Sequence, residues 1–239
     1  MKRFFLIIII SLSFNGCIEE PKLMFSESNQ FYQKNANIEI NIPIAEGDTE
    51  LATLINSKIE NHIANTLLFS EEDSETATLE EGISRFDTEY KIFKSDFEES
   101  KLVWEATFDG EVMYQSSEII SIAISSYTNT GGAHGNSVIT FYNFDSISGE
   151  ILKTSEIISN LDAFTKIAEQ LFMVDVKMEA SESIDDYFFG EPFHLPANIG
   201  YNEEGLVLLY NTYEVASYAI GITEFTIPFE EIEPLLVRL

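Results

Sequence analysis

At residue 101 the apolar residues of this chain stop recurring at helical spacing and begin to alternate, which points to the α+β class. Before that point Leu79, Ile83, Phe86, Tyr90, Phe93 and Phe97 step by three and four residues, a single apolar face along one helix. Leu51, Leu54, Ile55, Ile59, Ile63 and Leu67 repeat the pattern after a turn and N-cap at Gly47 and Asp48. Ahead of both, Ile38, Ile40, Ile42 and Ile44 share one face of a strand. From Leu102 the period is two: Trp104, Ala106 and Phe108 alternate with Val103, Glu105 and Thr107, and Asp109-Gly110 predicts a hairpin turn. Strands are expected again at Ile120–Ile124, running on to Tyr127, and at Val138–Phe144, with a turn at Ser148 and Gly149. Leu161, Phe164, Ile167, Ala168, Leu171 and Phe172 restore a helix. Two closing strands at 206–211 and 224–228 and a terminal helix over 229–237 complete an antiparallel sheet meander packed against helices.

The N-terminus bounds the compartment. Lys2 and Arg3 precede an unbroken apolar run from Phe4 to Leu12, and small and polar residues lead to Gly16 and Cys17. That order describes a secretory signal peptide, and the run is shorter than the roughly 20 residues a spanning helix needs. A lone Cys after a small residue resembles the lipobox of bacterial lipoproteins, although Phe14-Asn15 departs from its usual residues. Cys17 is the chain's one cysteine, so no internal disulfide is possible, and lipidation gives it a role. The expected organisation is a cleaved signal peptide over 1–16 and a tether over 17–35. A strand-plus-helices subdomain over 36–100 and an α+β domain over 101–239 follow. The expected location is the cell envelope, with acyl chains such as palmitate on Cys17 holding the protein to the outer membrane. The acidic start Glu19-Glu20 also resembles a surface-export signal.

The chain carries 13 basic and 41 acidic residues, a net charge of −28. Removal of residues 1–16 takes two cations and no acid, leaving 11 against 41, or −30. Such a field repels nucleic acid and favours basic partners. No cofactor box, phosphate loop, G-x-S-x-G elbow or calcium loop is present. His62, His134 and His194 are too scattered for a metal motif, so neither metal nor cofactor is expected. His62, within a helical stretch, reads as a residue at the edge of the core. Asp185-Asp186 and Glu203-Glu204 read as surface charge.

The most distinctive segment runs from Tyr127 to Gly135, Y-T-N-T-G-G-A-H-G, between two strands. Two readings stand side by side. The glycines Gly131 and Gly132 expose backbone N–H groups beside a versatile His134, or they permit positive φ in a bulged hairpin with His134 satisfying local backbone.

That segment, followed by Asn143-Phe144-Asp145 and Ser148-Gly149, has a second motif downstream. Tyr213-Glu214-Val215-Ala216-Ser217-Tyr218-Ala219-Ile220-Gly221 leads to Ile227-Pro228-Phe229. Together they resemble the domain of unknown function at the C-terminus of the anti-sigma factor RsiV. Its usual N-terminal companion also occurs in the peptidoglycan deacetylase PdaC. The resemblance covers residues 101–239, with the N-terminal half similar in pattern only. Asn129 and Ser217 depart from the tyrosine and proline usual there. The resemblance implies a binding module for a basic, lysozyme-like protein, or for a cell-wall glycan, rather than an enzyme. Tyr127, Gly131, Gly132, His134, Tyr213 and Tyr218 are its candidate binding residues, each tyrosine having a plain alternative as a core or sheet-face residue. The competing expectations are an envelope hydrolase working through a carboxylate pair, and a purely structural lipoprotein.

Overall fold

The computed structural model describes residues 23–69, 77–178 and 187–239. Cys17 with the rest of the leader, and Asp185-Asp186, lie outside the described residues. Two sheets carry the fold. The larger has the order β1-β2-β3-β4-β5, formed by Phe25–Gln33, Asn37–Ala45, Glu105–Gln115, Ile119–Asn129 and Asn136–Asp145. The smaller has β6 (Asn198–Tyr201), β7 (Gly205–Tyr210) and β8 (Thr223–Pro228). Every pairing is antiparallel except β2 with β3. That parallel step is bridged by α1 (Glu50–Leu68) and α2 (Leu79–Asp96), since parallel neighbours need a long crossover.

The two helices lie where their apolar spacing placed them. Thr49 and Thr78 cap their N-termini, and Thr78 forms a capping box with Glu81. Ile55, Ile59 and Ile63 of α1 and Phe86 and Tyr90 of α2 enter one core with Ile38, Ile40 and Ile42 of β2 and Ile120, Ile122 and Ile124 of β4. Trp104 sits among Phe69, Phe86, Tyr90 and Phe93, with ring centroids 5.6–6.0 Å apart, an aromatic cluster that packs α2 against the start of β3. A second core joins Phe164, Ala168 and Phe172 of α4 (Leu161–Met178) to Leu208, Tyr210 and Phe225 of the smaller sheet. All six residues of β7 are buried.

Three expectations are corrected. Residues 25–33, expected within a tether, form edge strand β1, paired with β2 from Phe25↔Ala45 to Gln33↔Asn37. Its exposed residues are polar apart from Phe31, and its pattern is weak because only one long edge of it is paired. Asp109-Gly110 is no turn but the middle of β3, and the chain reverses at Ser116–Glu118 instead. Gly110 is required by close approach: a Cβ there would stand 2.7 Å from Pro43 Cδ and 3.0 Å from Ile124 Cδ1. The terminal helix shrinks to α5 (Phe229–Ile232) and a 3-10 turn at Glu233–Leu235, Pro234 supplying no N–H to continue it. Strand β6 and the four-residue α3 (Thr154–Ile157) were not anticipated. The larger sheet also draws strands from both sides of residue 100, where a division was expected.

Candidate functional site

The two sequence motifs meet at one end of the molecule, and asparagine side chains bring them there. Asn211, at the end of β7, accepts a hydrogen bond from the Ile139 N–H at 2.8 Å and donates to the Ile139 carbonyl at 2.9 Å. Asn198 does the same one step along, accepting from Phe141 N–H and donating to the Ile139 carbonyl. These amides stand in for a neighbouring strand along the free edge of β5. The loop 211–221 is thereby set beside the loop 130–135. Glu214 braces the former, its carboxylate accepting from Asn211 N–H and Ala197 N–H.

Within the 130–135 loop the glycines have separate tasks. Gly131 and Gly132 hold φ at +109° and +102°. The Gly131 N–H is donated to the Asn129 side chain at 3.2 Å, so it is not free for a ligand. Gly135 lies under the ring of Tyr127, where a Cβ would come within 2.4 Å of the aromatic carbons. Tyr127 is half-buried against that glycine. The structural reading therefore holds for the glycines, whereas His134 is exposed.

His134, Tyr213 and Tyr218 form one cluster. The imidazole stacks on Tyr218 with centroids 3.7 Å apart and planes 22° from parallel. Tyr213 lies 5.6 Å from Tyr218, and its hydroxyl reaches His134 Nε2 at 3.4 Å. His134 Nδ1 faces the Gly135 carbonyl at 2.7 Å and must donate to it. In the neutral ring Nε2 is then the acceptor for the Tyr213 hydroxyl. Tyr213 and Tyr218 are 57% and 43% exposed, so the rings are not sheet-face packing.

The backbone beneath these rings is strained. Tyr213, Phe188 and Phe189 hold φ at +71°, +59° and +51°, a region costly for aromatic residues. The Phe188 N–H is donated to the Val215 carbonyl, which pins the Phe188–Gly190 turn beside the segment carrying Tyr213 and Tyr218. Phe188 points into the core, but Phe189 stands 66% exposed. Sequence reasoning missed Phe189. The tandem Phe-Phe before Gly190 was the available signal, since two adjacent aromatics in a turn cannot both face the core.

His62 Nε2 lies 3.1 Å from Ser126 Oγ, and Tyr142 Oη lies 2.9 Å from His62 Nδ1. Ser126 is buried, and the Tyr142 hydroxyl holds the other ring nitrogen. Among the described residues no group of His, Cys, Asp and Glu is arranged to hold a metal ion. No helix among them is long and apolar enough to cross a membrane.

Comparison with known proteins agrees with this two-part layout. Residues 27–137 match the family described as Deacetylase PdaC, and residues 151–230 match a protein family of unknown function, DUF3298. The chain is 24% identical over 183 residues to the peptidoglycan-N-acetylmuramic acid deacetylase PdaC of Bacillus subtilis. That match takes in 73% of this chain and only 39% of the relative's length. Crystal structures of DUF3298 proteins from Bacteroides fragilis and Pseudomonas aeruginosa share the fold, at TM-scores of 0.70 and 0.62 and 22% and 19% identity. They cover 90% and 91% of this chain and 93% and 95% of their own.

Proposed function

We infer that this chain, which carries a PdaC domain followed by a DUF3298 domain, is a non-catalytic binding module of the cell envelope. Its partner is a basic protein of lysozyme type. The supporting observation is the exposed cluster of His134, Tyr213 and Tyr218, with Tyr213 held out on strained backbone. Exposed aromatic rings are frequent anchors at interfaces, and their electron-rich faces suit Arg and Lys. A net charge of −28 steers such a cationic partner toward the surface. Acylation of Cys17 would keep the module on the outer membrane. Labelling with a palmitate analogue should mark the full-length protein and not Cys17→Ser, and equal labelling would sink that part.

The decisive experiment is titration of the full-length protein with hen lysozyme across a salt series. Saturable binding that survives screening is expected, with His134→Ala losing it at an unchanged melting temperature. Binding that vanishes as salt screens the charge, or that His134→Ala leaves intact, would overturn the reading. Muropeptide release from purified peptidoglycan would favour the hydrolase alternative instead.

A further inference from the structure

The edge of β1 that β2 leaves free holds a row of unpaired main-chain groups beside an apolar concavity. The Glu46 N–H is donated to the Met24 carbonyl at 2.8 Å, and antiparallel pairing then turns every second residue of β1 toward β2. Phe25, Glu27, Asn29, Phe31 and Gln33 therefore aim their N–H and C=O groups outward, and no backbone bond from another described residue reaches them. The edge lacks the devices that block strand addition. β1 has no Pro and no Lys, and its register with β2 runs from end to end without a bulge.

Alongside this edge lies α2. A concavity of about 700 Å³ opens between the helix and the end of β1, with Ile38, Leu79 and Ile83 as apolar walls. Phe31, Tyr32 and Gln33 line it in succession, as a strand does when met along its edge, because alternate side chains leave a strand on opposite faces. Lys34 in the lining is offset by Glu80 and Asp87, so the concavity selects by shape and apolarity rather than by charge.

The far face of the sheet does have a sign. Glu27, Glu39, Glu105, Asp109 and Glu111 alternate with the residues facing the helices and so share the outer face. β1, β2 and β3 contain no Lys or Arg, and none of these five acids has an ion pair among the described residues. Glu39 and Asp109 are met only by a neutral amide, that of Asn41.

We propose that β1 accepts an extended polypeptide segment as a sixth strand of the larger sheet, one in which apolar and basic residues alternate. Its main chain bonds to the outward groups of Glu27, Asn29 and Phe31, an apolar side chain enters the concavity beside Ile83, and its basic side chains lie over the acidic face. A polypeptide is what the edge demands, since its free donors and acceptors recur at the spacing of a strand, and a pocket beside such an edge supplies side-chain selectivity. The acids favour basic over acidic side chains on the outer face. β1 is the opposite edge of the sheet from β5, beside which His134 lies, so this reading is independent of the His134 cluster.

The test is fluorescence-anisotropy titration of labelled heptapeptides with the full-length protein. Ile-Lys-Ile-Lys-Ile-Lys-Ile is compared with the same residues grouped, all Ile before all Lys, which has equal charge but no alternation. The alternating peptide should bind at least about tenfold more tightly, the low end of what seating one apolar side chain supplies. In an antiparallel addition the lysine N–H groups face β1. N-methylation of the lysine backbone nitrogens should therefore abolish binding, and N-methylation of the isoleucine ones should leave it. Asn29→Pro removes an outward N–H that the fold does not use, and should lose the peptide at an unchanged melting temperature. Ile83→Ala should weaken binding. The N-methylated peptides leave the protein unaltered and decide the matter if Asn29→Pro unfolds. Equal affinity for the alternating and grouped peptides overturns the proposal, as does equal loss from both methylations or binding that a folded Asn29→Pro retains. Concentration-dependent dimerisation of the protein alone that Asn29→Pro abolishes overturns it too, because a second copy then holds the edge.

Discussion

Tyr213 holds its φ at +71°, where only glycine rests without strain, and spends that conformation on exposing a ring. The usual order of substitutions should therefore invert. Tyr213→Gly relieves the backbone while Tyr213→Ala keeps the strain, so the glycine variant should be the more stable by about 1 kcal/mol in urea unfolding. Both should lose the partner that the His134 cluster binds. An alanine variant as stable as the glycine variant would mean that the strain is illusory. At this scale His134, Tyr213 and Tyr218 could be singled out because their motifs stood out from the surrounding periodicity, and the structure brings the three rings together. The positive φ of Gly131 and Gly132 was within the sequence reading, but the separate tasks of Gly131 and Gly135 depend on Asn129 and on the ring of Tyr127. No one-dimensional spacing shows which glycine makes a turn and which yields room to a neighbour.

Among the elements, α2 is joined to the β1–β2 turn by a single side chain, Asp87. Burial works against its charge, but the hydrogen bonds from Asn35 and Ala36 and the nearby Lys34 outweigh that and hold its pKa below 3.8. A carboxyl with a lowered folded-state pKa contributes stability above its unfolded value, and this is lost as pH falls through the folded value. Asp87→Asn should thus cost about 2 kcal/mol at neutral pH, the range for hydrogen bonds to a charged group. The gap to wild type should close as the pH drops below 3.8. Urea unfolding of both proteins at several pH values checks it, and a gap that does not narrow in acid would refute the assignment. The helices were legible because amphipathic spacing over 18 or 19 residues is redundant. Strand β1 was not, because an edge strand carries half the apolar demand of a central one. Gly110 was misread as a turn because Asp-Gly is a hairpin signal in general, and only the packing of Pro43 and Ile124 marks it as a crossing point.

Over the whole molecule, two sheets with separate cores act as a unit because Asn198, Asn211 and Asn143 stitch them at the backbone. Asn143 donates to the Ile199 carbonyl at 2.7 Å and accepts from Ser121, whose oxygen in turn accepts from Tyr201 N–H. The family matches end at residue 137 and resume at 151, close to where β5 hands the chain from the larger sheet to α3. The α+β class, the three long helices and most strands were determined by the sequence alone, since period and local turn chemistry are properties of neighbours along the chain. The resemblance of the C-terminal half to the DUF3298 family was likewise readable from two motifs in order. Only the tertiary structure decided that the 127–135 and 213–218 motifs share one exposed aromatic cluster. That juxtaposition links residues tens of positions apart, and it is selected by strand pairing and side-chain hydrogen bonds that no local pattern encodes.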